Sequence, residues 1–213
     1  MTDDCLGRFC FSFFGDKRLE MGDYMKRIIL ASASPRRKEL LEQVGLSFEI
    51  IPSTDEEICH ETEPAKVVEA LAEQKAESVA KNLSGNYIVI GSDTVVAKDN
   101  KILGKPHDEA QAFEMLQSLQ GTSHEVYSGV ALLRFEQDKM TREVFSVKTE
   151  VKVFPMSEEQ ILGYIATGDC MDKAGAYGIQ GCFAEYIEEI VGDYYNVVGL
   201  PVSRVMQGLR AWL

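Results

Sequence analysis

The chain has 213 residues, 26% of them charged, and carries a formal net charge of -12 with three histidines left neutral. That length suits one domain of ordinary size, or one with two lobes, and the acidic balance argues against extended contact with nucleic acid, which demands a broad basic surface. No apolar run approaches a membrane span, and Asp3 and Asp4 ahead of Phe9–Phe14 give the wrong charge for a secretory signal. Residues 1–24 show no sustained period and read as a loosely attached tail, with Met21 or Met25 as candidate starts; residues 25–213 read as the folded domain. Five cysteines, Cys5, Cys10, Cys59, Cys170 and Cys182, are odd in number and lack CxxC spacing, which predicts reduced thiols and a cytoplasmic setting.

Arg27–Ala31 reads as a short buried strand, followed by a helix start in which Ser34 is a favourable N-cap, Pro35 fits the first position, and Leu40, Leu41 and Val44 continue an apolar face. Phe48–Ile51 is a strand and residues 52–63 an acidic loop. Pro64 opens a helix to about Asn82. Tyr87–Ile90 is a near-continuous apolar run that extends through Gly91-Ser92-Asp93-Thr94 into Val95–Ala97, and Asp99-Asn100 signals a turn. A helix over Asp108–Leu119 is closed by Gly121. Glu125–Phe135 and Thr141–Phe154 form a hairpin whose second arm alternates apolar and polar residues, and Ser157 with Gln160 forms a capping box for a helix ending near Gly168. A glycine-rich segment over Asp172–Gly181 precedes a short strand near Ala184–Ile187 and a final helix over Pro201–Leu213. Helices alternating with strands, plus one antiparallel hairpin, predict an α/β fold with a mixed sheet flanked by helices.

Three features put charge where local rules disfavour it. Arg36 and Arg37 fall in the first turn of a helix, at the positive end of its dipole, where acidic side chains would lower the energy. The simplest compensation is an external anion held by free N–H groups, the serine hydroxyls and both guanidinium forks; a solvated basic helix start is the plain alternative. On the helix after Pro64, Val67, Val68, Leu71, Ala72 and Val79 share one arc, and Lys75 falls near its centre. A lysine reaching an anion in a cleft fits better than a snorkelling stem or a structural ion pair. Asp93 lies between Ile90 and Val95, where an unpaired carboxylate would cost several kcal/mol. It pairs with a cation, binds a metal, or makes an Asx-type turn with Gly91. Lys105, held extended by Pro106, is placed to meet a ligand.

Seven motifs in order then resemble one family: Leu30-Ala-Ser-Ala-Ser-Pro-Arg-Arg with Glu39-Leu-Leu, Ala72-Glu-Gln-Lys75-Ala, Gly91-Ser-Asp93-Thr94-Val-Val, Gly104-Lys-Pro, His124-Glu-Val-Tyr-Ser-Gly-Val, Asp172-Lys-Ala-Gly-Ala-Tyr-Gly-Ile-Gln180-Gly and Asn196-Val-Val-Gly-Leu-Pro. Together they resemble the Maf family of septum-formation-like nucleotide pyrophosphatases, from about Met25 to the C-terminus. The resemblance implies a fold akin to the inosine-triphosphate pyrophosphatases, with two lobes around a cleft, and hydrolysis of a nucleoside triphosphate to the monophosphate and pyrophosphate with a divalent cation, Mg2+ or Mn2+. By position, Asp93 matches the proton acceptor, and Ser32, Arg37, Lys75, Lys105 and Lys173 match positions around the phosphates. Glu57 matches a carboxylate that acts with Asp93 at the metal.

The subgroup preferring dTTP and UTP resembles this chain at Arg36, Thr94 and Gln180. One amide can pair with both O4 and N3–H of uracil or thymine, whereas a glutamate could only accept, as from a guanine edge. The alternatives are a 7-methyl-GTP-preferring relative and a non-catalytic nucleotide-binding regulator of cell division. The resemblance implies a nucleotide ligand, the charge and the lack of a long apolar run predict no nucleic-acid and no membrane partner, and a homodimer is left open.

Overall fold

The computed structural model describes residues 27–212, so the expectation of a loose tail falls outside the described residues. Seven strands, β1 (Arg27–Leu30), β2 (Glu49–Ile50), β3 (Tyr87–Lys98), β4 (Lys101–Leu103), β5 (Ser123–Glu136), β6 (Lys139–Val153) and β7 (Ile187–Val191), form one mixed sheet in the order β2-β1-β3-β5-β6-β7, with β4 on β3. The pairs of β1 with β2 and with β3 are parallel, and the rest are antiparallel. The helices are α1 (Pro35–Gln43), α2 (Pro64–Ala80), α3 (Glu109–Leu119), α4 (Glu158–Ile165), α5 (Tyr194–Val198) and α6 (Val202–Arg210).

The long strand β3 organises the fold because its alternate residues serve two different cores. Val89 packs with Ala72, Ala76 and Val79 of α2, and Val95 with Val67 and Val68 of the same helix. On the other face Ile88 and Ile90 meet Leu40 and Leu41 of α1 and Val205 and Leu209 of α6, whereas Val96 meets Leu116 of α3 and Ile161 of α4. That second face therefore carries two separate helix packs, the two lobes.

Two glycines let α2 lie close on the sheet. A Cβ on Gly91 would stand 2.2 Å from the Ala72 carbonyl oxygen, and one on Gly129 would stand 2.1 Å from that of Val68. The two-residue turns Asp99-Asn100 and Gln137-Asp138 have positive φ at both positions, the type I′ geometry that matches the strand twist. The capping box at Ser157 and Gln160 forms as expected, and Gly168, at φ 74°, follows the end of α4.

Several local expectations shift. Residues 182–186 form a 3-10 turn and not a strand, because Phe183 is drawn fully into a cluster with Tyr164, Tyr177 and Tyr186; β7 starts only at Ile187. Val44 is 40% exposed at the end of α1 and does not continue the buried face. In β6 the alternation of exposed and buried residues holds only over residues 148–153; residues 139–142 are exposed throughout, and in between Ser146 meets Glu69 of α2 on one side while Arg204 of α6 lies over the Phe145 ring on the other. The short α5, capped by Asp193 through the Tyr195 N–H, was not foreseen, and neither was β4.

Candidate active site

One edge of β3 is interrupted. Along it β1 pairs as far as Ile90 and β4 begins only at Val96, so Gly91–Val95 have no strand neighbour on that side among the described residues, although β5 pairs with all of them on the other. Asp93 stands in the middle of this gap. Its side chain points to the α2 face, like Val89 and Val95, and the close seat of α2 on Gly91 brings Lys75 to it: Lys75 Nζ donates to Asp93 Oδ1 at 2.5 Å. Glu57, from the acidic loop, adds Oε1 at 3.1 Å from the same ammonium. The Lys75 and Asp93 side chains are each 14% exposed, so Lys75 is neither snorkelling nor free; its anions are carboxylates of the chain itself.

Thr94 faces the opposite way, where the Gly199 carbonyl acts as a hub. That oxygen, after α5, accepts from Arg37 Nε at 2.9 Å, Thr94 Oγ1 at 3.3 Å and Ser92 Oγ at 3.4 Å. Arg37 further donates from Nη1 to Ser32 Oγ and from Nη2 to Thr94 Oγ1, both at 3.1 Å, which leaves two of its five N–H groups. Burial pulls the Arg37 guanidinium below its ordinary pKa, opposed by the Asp93 carboxylate. Ser32 is buried behind Arg37 and does not line the cavity; it also accepts the Ser34 N–H at 3.2 Å. The Ser34 hydroxyl makes no cap bond, so the backbone N–H groups of Arg36 and Arg37 at the start of α1 are left without an acceptor among the described residues.

The third wall is the glycine-rich segment. Asp172 lies 3.5 Å from Arg36 across the cleft, Lys173 is held by Asp169 and Asp172, and Gln180 is exposed on the cavity wall. Tyr177 also lines the cavity and shares a 2.7 Å hydrogen bond with buried His124 Nε2. Burial pushes the phenols of Tyr164 and Tyr177 far up, so both keep their protons.

These walls enclose about 440 Å³, within the usual range for a small-molecule site. Arg36, Arg37, Lys75, Lys105 and Lys173 line it against Asp93, Asp169 and Asp172, an excess of cations on a chain of net charge -12. Lys105 is exposed and has no ion-pair partner among the described residues. Of the residues singled out in the sequence, Asp93, Thr94, Arg36, Arg37, Lys75, Lys105, Lys173 and Gln180 share the cavity, while Ser32 and Glu57 act through Arg37 and Lys75. Asp169, Tyr164, Tyr177 and the Gly199 carbonyl were missed. The signal for Asp169 was weak, a lone aspartate in a turn.

A mixed sheet whose broken edge places a carboxylate among cations defines an α/β protein built to hold a small polyanion. Residues 27–212 match the family model described as Maf-like protein, and the chain belongs to that family. It is 51% identical over 199 residues to a dTTP/UTP pyrophosphatase of Agathobacter rectalis, covering 87% of this chain and 97% of the relative. The so-named proteins of Bacillus cereus (51% over 190 residues; 89% and 91% covered) and Symbiobacterium thermophilum (50% over 186 residues; 87% and 93%) are similarly related. A HAM1 protein from Coxiella burnetii shares the fold, with a TM-score of 0.50 at 14% identity over 88% of this chain and 100% of that one.

Proposed function

We propose that this protein hydrolyses dTTP and UTP to the nucleoside monophosphate and pyrophosphate. The observation that carries the reading is Asp93: a carboxylate in the gap of a sheet edge, fixed by Lys75 and facing a cavity rich in cations. Relatives named for this activity at about half identity over nearly their whole length support it.

The triphosphate meets Lys105, Arg36, the remaining Arg37 donors and the free N–H groups opening α1, which neutralise its charge and align it. Asp93 orients a water and takes its proton as the oxygen attacks the α-phosphorus; the bond from that phosphorus to the bridging oxygen breaks and pyrophosphate leaves. Lys75 holds the carboxylate in place during this step. Gln180 supplies one donor and one acceptor for the O4 and N3–H of a pyrimidine dione, beside Arg36 and Thr94.

A divalent metal fits the same corner. Asp93 and Glu57 each meet the Lys75 ammonium through one oxygen, and the second oxygen of each carboxylate is a hard donor suited to Mg2+ or Mn2+ beside it. No group of three or more metal-type side chains occurs among the described residues, so phosphate oxygens and water would complete the shell. When bound, the metal supplies charge neutralisation and a more acidic water. The free thiols of Cys59, Cys170 and Cys182 accord with a cytoplasmic setting.

The test is pyrophosphate release from a panel of canonical and modified triphosphates, with and without Mg2+. The expected result is turnover of dTTP and UTP that Asp93→Asn abolishes while nucleotide binding stays measurable. An active Asn variant removes the role of Asp93, and much faster hydrolysis of 7-methyl-GTP overturns the base assignment.

A further inference from the structure

Lys173, expected among the phosphate ligands, has no proton left for a phosphate. Its ammonium carries three donors and meets three acceptors of the chain: Asp172 Oδ1 at 2.6 Å, the Asp169 carbonyl at 2.6 Å and Asp169 Oδ1 at 2.9 Å. The side chain is only 13% exposed. What it supports is backbone. A Cβ on Gly178 would stand 2.5 Å from Lys173 Cε, and a Cβ on Gly181 would stand 2.5 Å from Asp169 Oδ2. The chain at these two glycines thus rests directly on the lysine stem and on the carboxylate.

The support is closed by hydrogen bonds. The Gly178 N–H donates to the Tyr164 hydroxyl at 3.3 Å, which donates in turn to Asp169 Oδ2 at 3.1 Å, and the Gly181 N–H turns back to the Gly178 carbonyl at 3.3 Å. Between these glycines stand Ile179, buried beside Val198 and Leu200, and Gln180, exposed on the cavity wall. The residue that reads the base is therefore mounted on a two-residue arch whose feet are Lys173 and Asp169.

We propose that Asp169 and Lys173, with Tyr164, are positioning residues for base selection: they set the height of the Gly178–Gly181 arch and hence the place of the Gln180 amide, and Lys173 binds no phosphate. The proposal rests on the reading of the cleft as a dTTP/UTP site. Both members of the pair are needed, because an arch resting on one foot would let the amide swing while the phosphate cations on α1 and after β4 stay where they are.

The experiment compares Lys173→Met, Asp169→Asn and their double variant with the parent protein. Three quantities are measured: kcat/KM for dTTP, UTP and GTP, the inhibition constant of inorganic pyrophosphate, and amide hydrogen exchange across residues 174–186. Each single variant should narrow the preference for dTTP over GTP by about tenfold, leave pyrophosphate inhibition within about twofold, and speed exchange at the arch about tenfold or more. The double variant should do no more damage than either single, since the pair acts as a unit. Pyrophosphate inhibition weakened tenfold in Lys173→Met with the base preference unchanged would return Lys173 to the phosphates and overturn the proposal. Unchanged exchange would overturn the support, and faster exchange with unchanged preference would remove its part in selection. If Lys173→Met fails to fold, Tyr164→Phe cuts the link from the other side with its ring still packed on Phe183, and the same shifts, about threefold, are expected; none overturns the proposal. A parent protein indifferent to the base would sink the dTTP/UTP assignment and the selection role with it, while exchange would still decide whether the arch rests on the pair.

Discussion

Replacing Gly91 by alanine should injure catalysis without touching a single charged group. A Cβ there would stand 2.2 Å from the Ala72 carbonyl oxygen and 2.9 Å from Ala76 Cβ, and the first of these is helix backbone that cannot rotate away. Ordinary contact needs roughly 1 Å more, so α2 must retreat by about that distance. Lys75 lies on the turn between those two alanines and retreats with them. Its 2.5 Å contact with Asp93 then lengthens to about 3.5 Å, outside a direct hydrogen bond. Overpacking of this kind costs about 1–3 kcal/mol, and a misplacement of about 1 Å at a reacting group costs about 100-fold in rate. Urea unfolding should show a midpoint lower by about 1 M, taking a slope of about 2 kcal/mol per molar, and kcat/KM for dTTP should fall about 100-fold. The control is Gly163→Ala in α4, where an added Cβ meets nothing among the described residues within 4 Å; it should leave turnover alone and stabilise the helix by about 0.5–1 kcal/mol. A Gly91→Ala protein with parental stability and turnover would refute the close seat of α2. Lost stability with full turnover would refute the claim that this seat positions Lys75.

Arg37→Lys keeps the charge but cannot reach Gly199 O, Ser32 Oγ and Thr94 Oγ1 together; unfolding should show a loss of about 2 kcal/mol, with a raised KM for dTTP. His124 is pulled down to about 4 by burial, with a smaller push from Lys98, so below about pH 6.5 the unfolded chain binds a proton that the folded chain refuses until about pH 4. Stability should therefore fall by about 3 kcal/mol between those pH values and be insensitive to this group above them. The difference in urea midpoints between the parent and His124→Phe, followed against pH, isolates the effect, and parallel profiles would refute it. Chelation by EDTA should stop pyrophosphate release and added Mg2+ restore it; a full rate in EDTA would remove the metal from the proposal.

What the sequence made legible is local or periodic; what it hid depends on backbone atoms far along the chain. Lys75 stood out because a lysine at the centre of an apolar helical arc breaks a pattern, and Asp93 because a carboxylate interrupts a buried strand; each anomaly is explained by the other at 2.5 Å. The paired arginines also violated a local rule, but they part company in the fold. Arg36 faces Asp172 across the cleft, whereas Arg37 turns to a carbonyl 162 residues away, an acceptor that every residue carries and no pattern marks. Lys173 shows the opposite failure. Within its motif it reads as one more cation for a polyanion, and only the position of Asp169, four residues earlier and outside any motif, shows that its protons are already taken. The misplaced β7 has the same origin, since Phe183 is committed to an aromatic cluster that assembles from α4 and the glycine-rich segment, and local alternation carries no trace of it. A charge that breaks its local pattern thus points to a partner, but whether that partner is a ligand or the chain itself is decided by acceptors that only the fold brings near. That is why the cleft divides as it does, with Lys105 exposed and without an ion-pair partner among the described residues, Lys75 bound to Asp93 and Glu57, and Lys173 turned inward beneath the segment that carries Gln180.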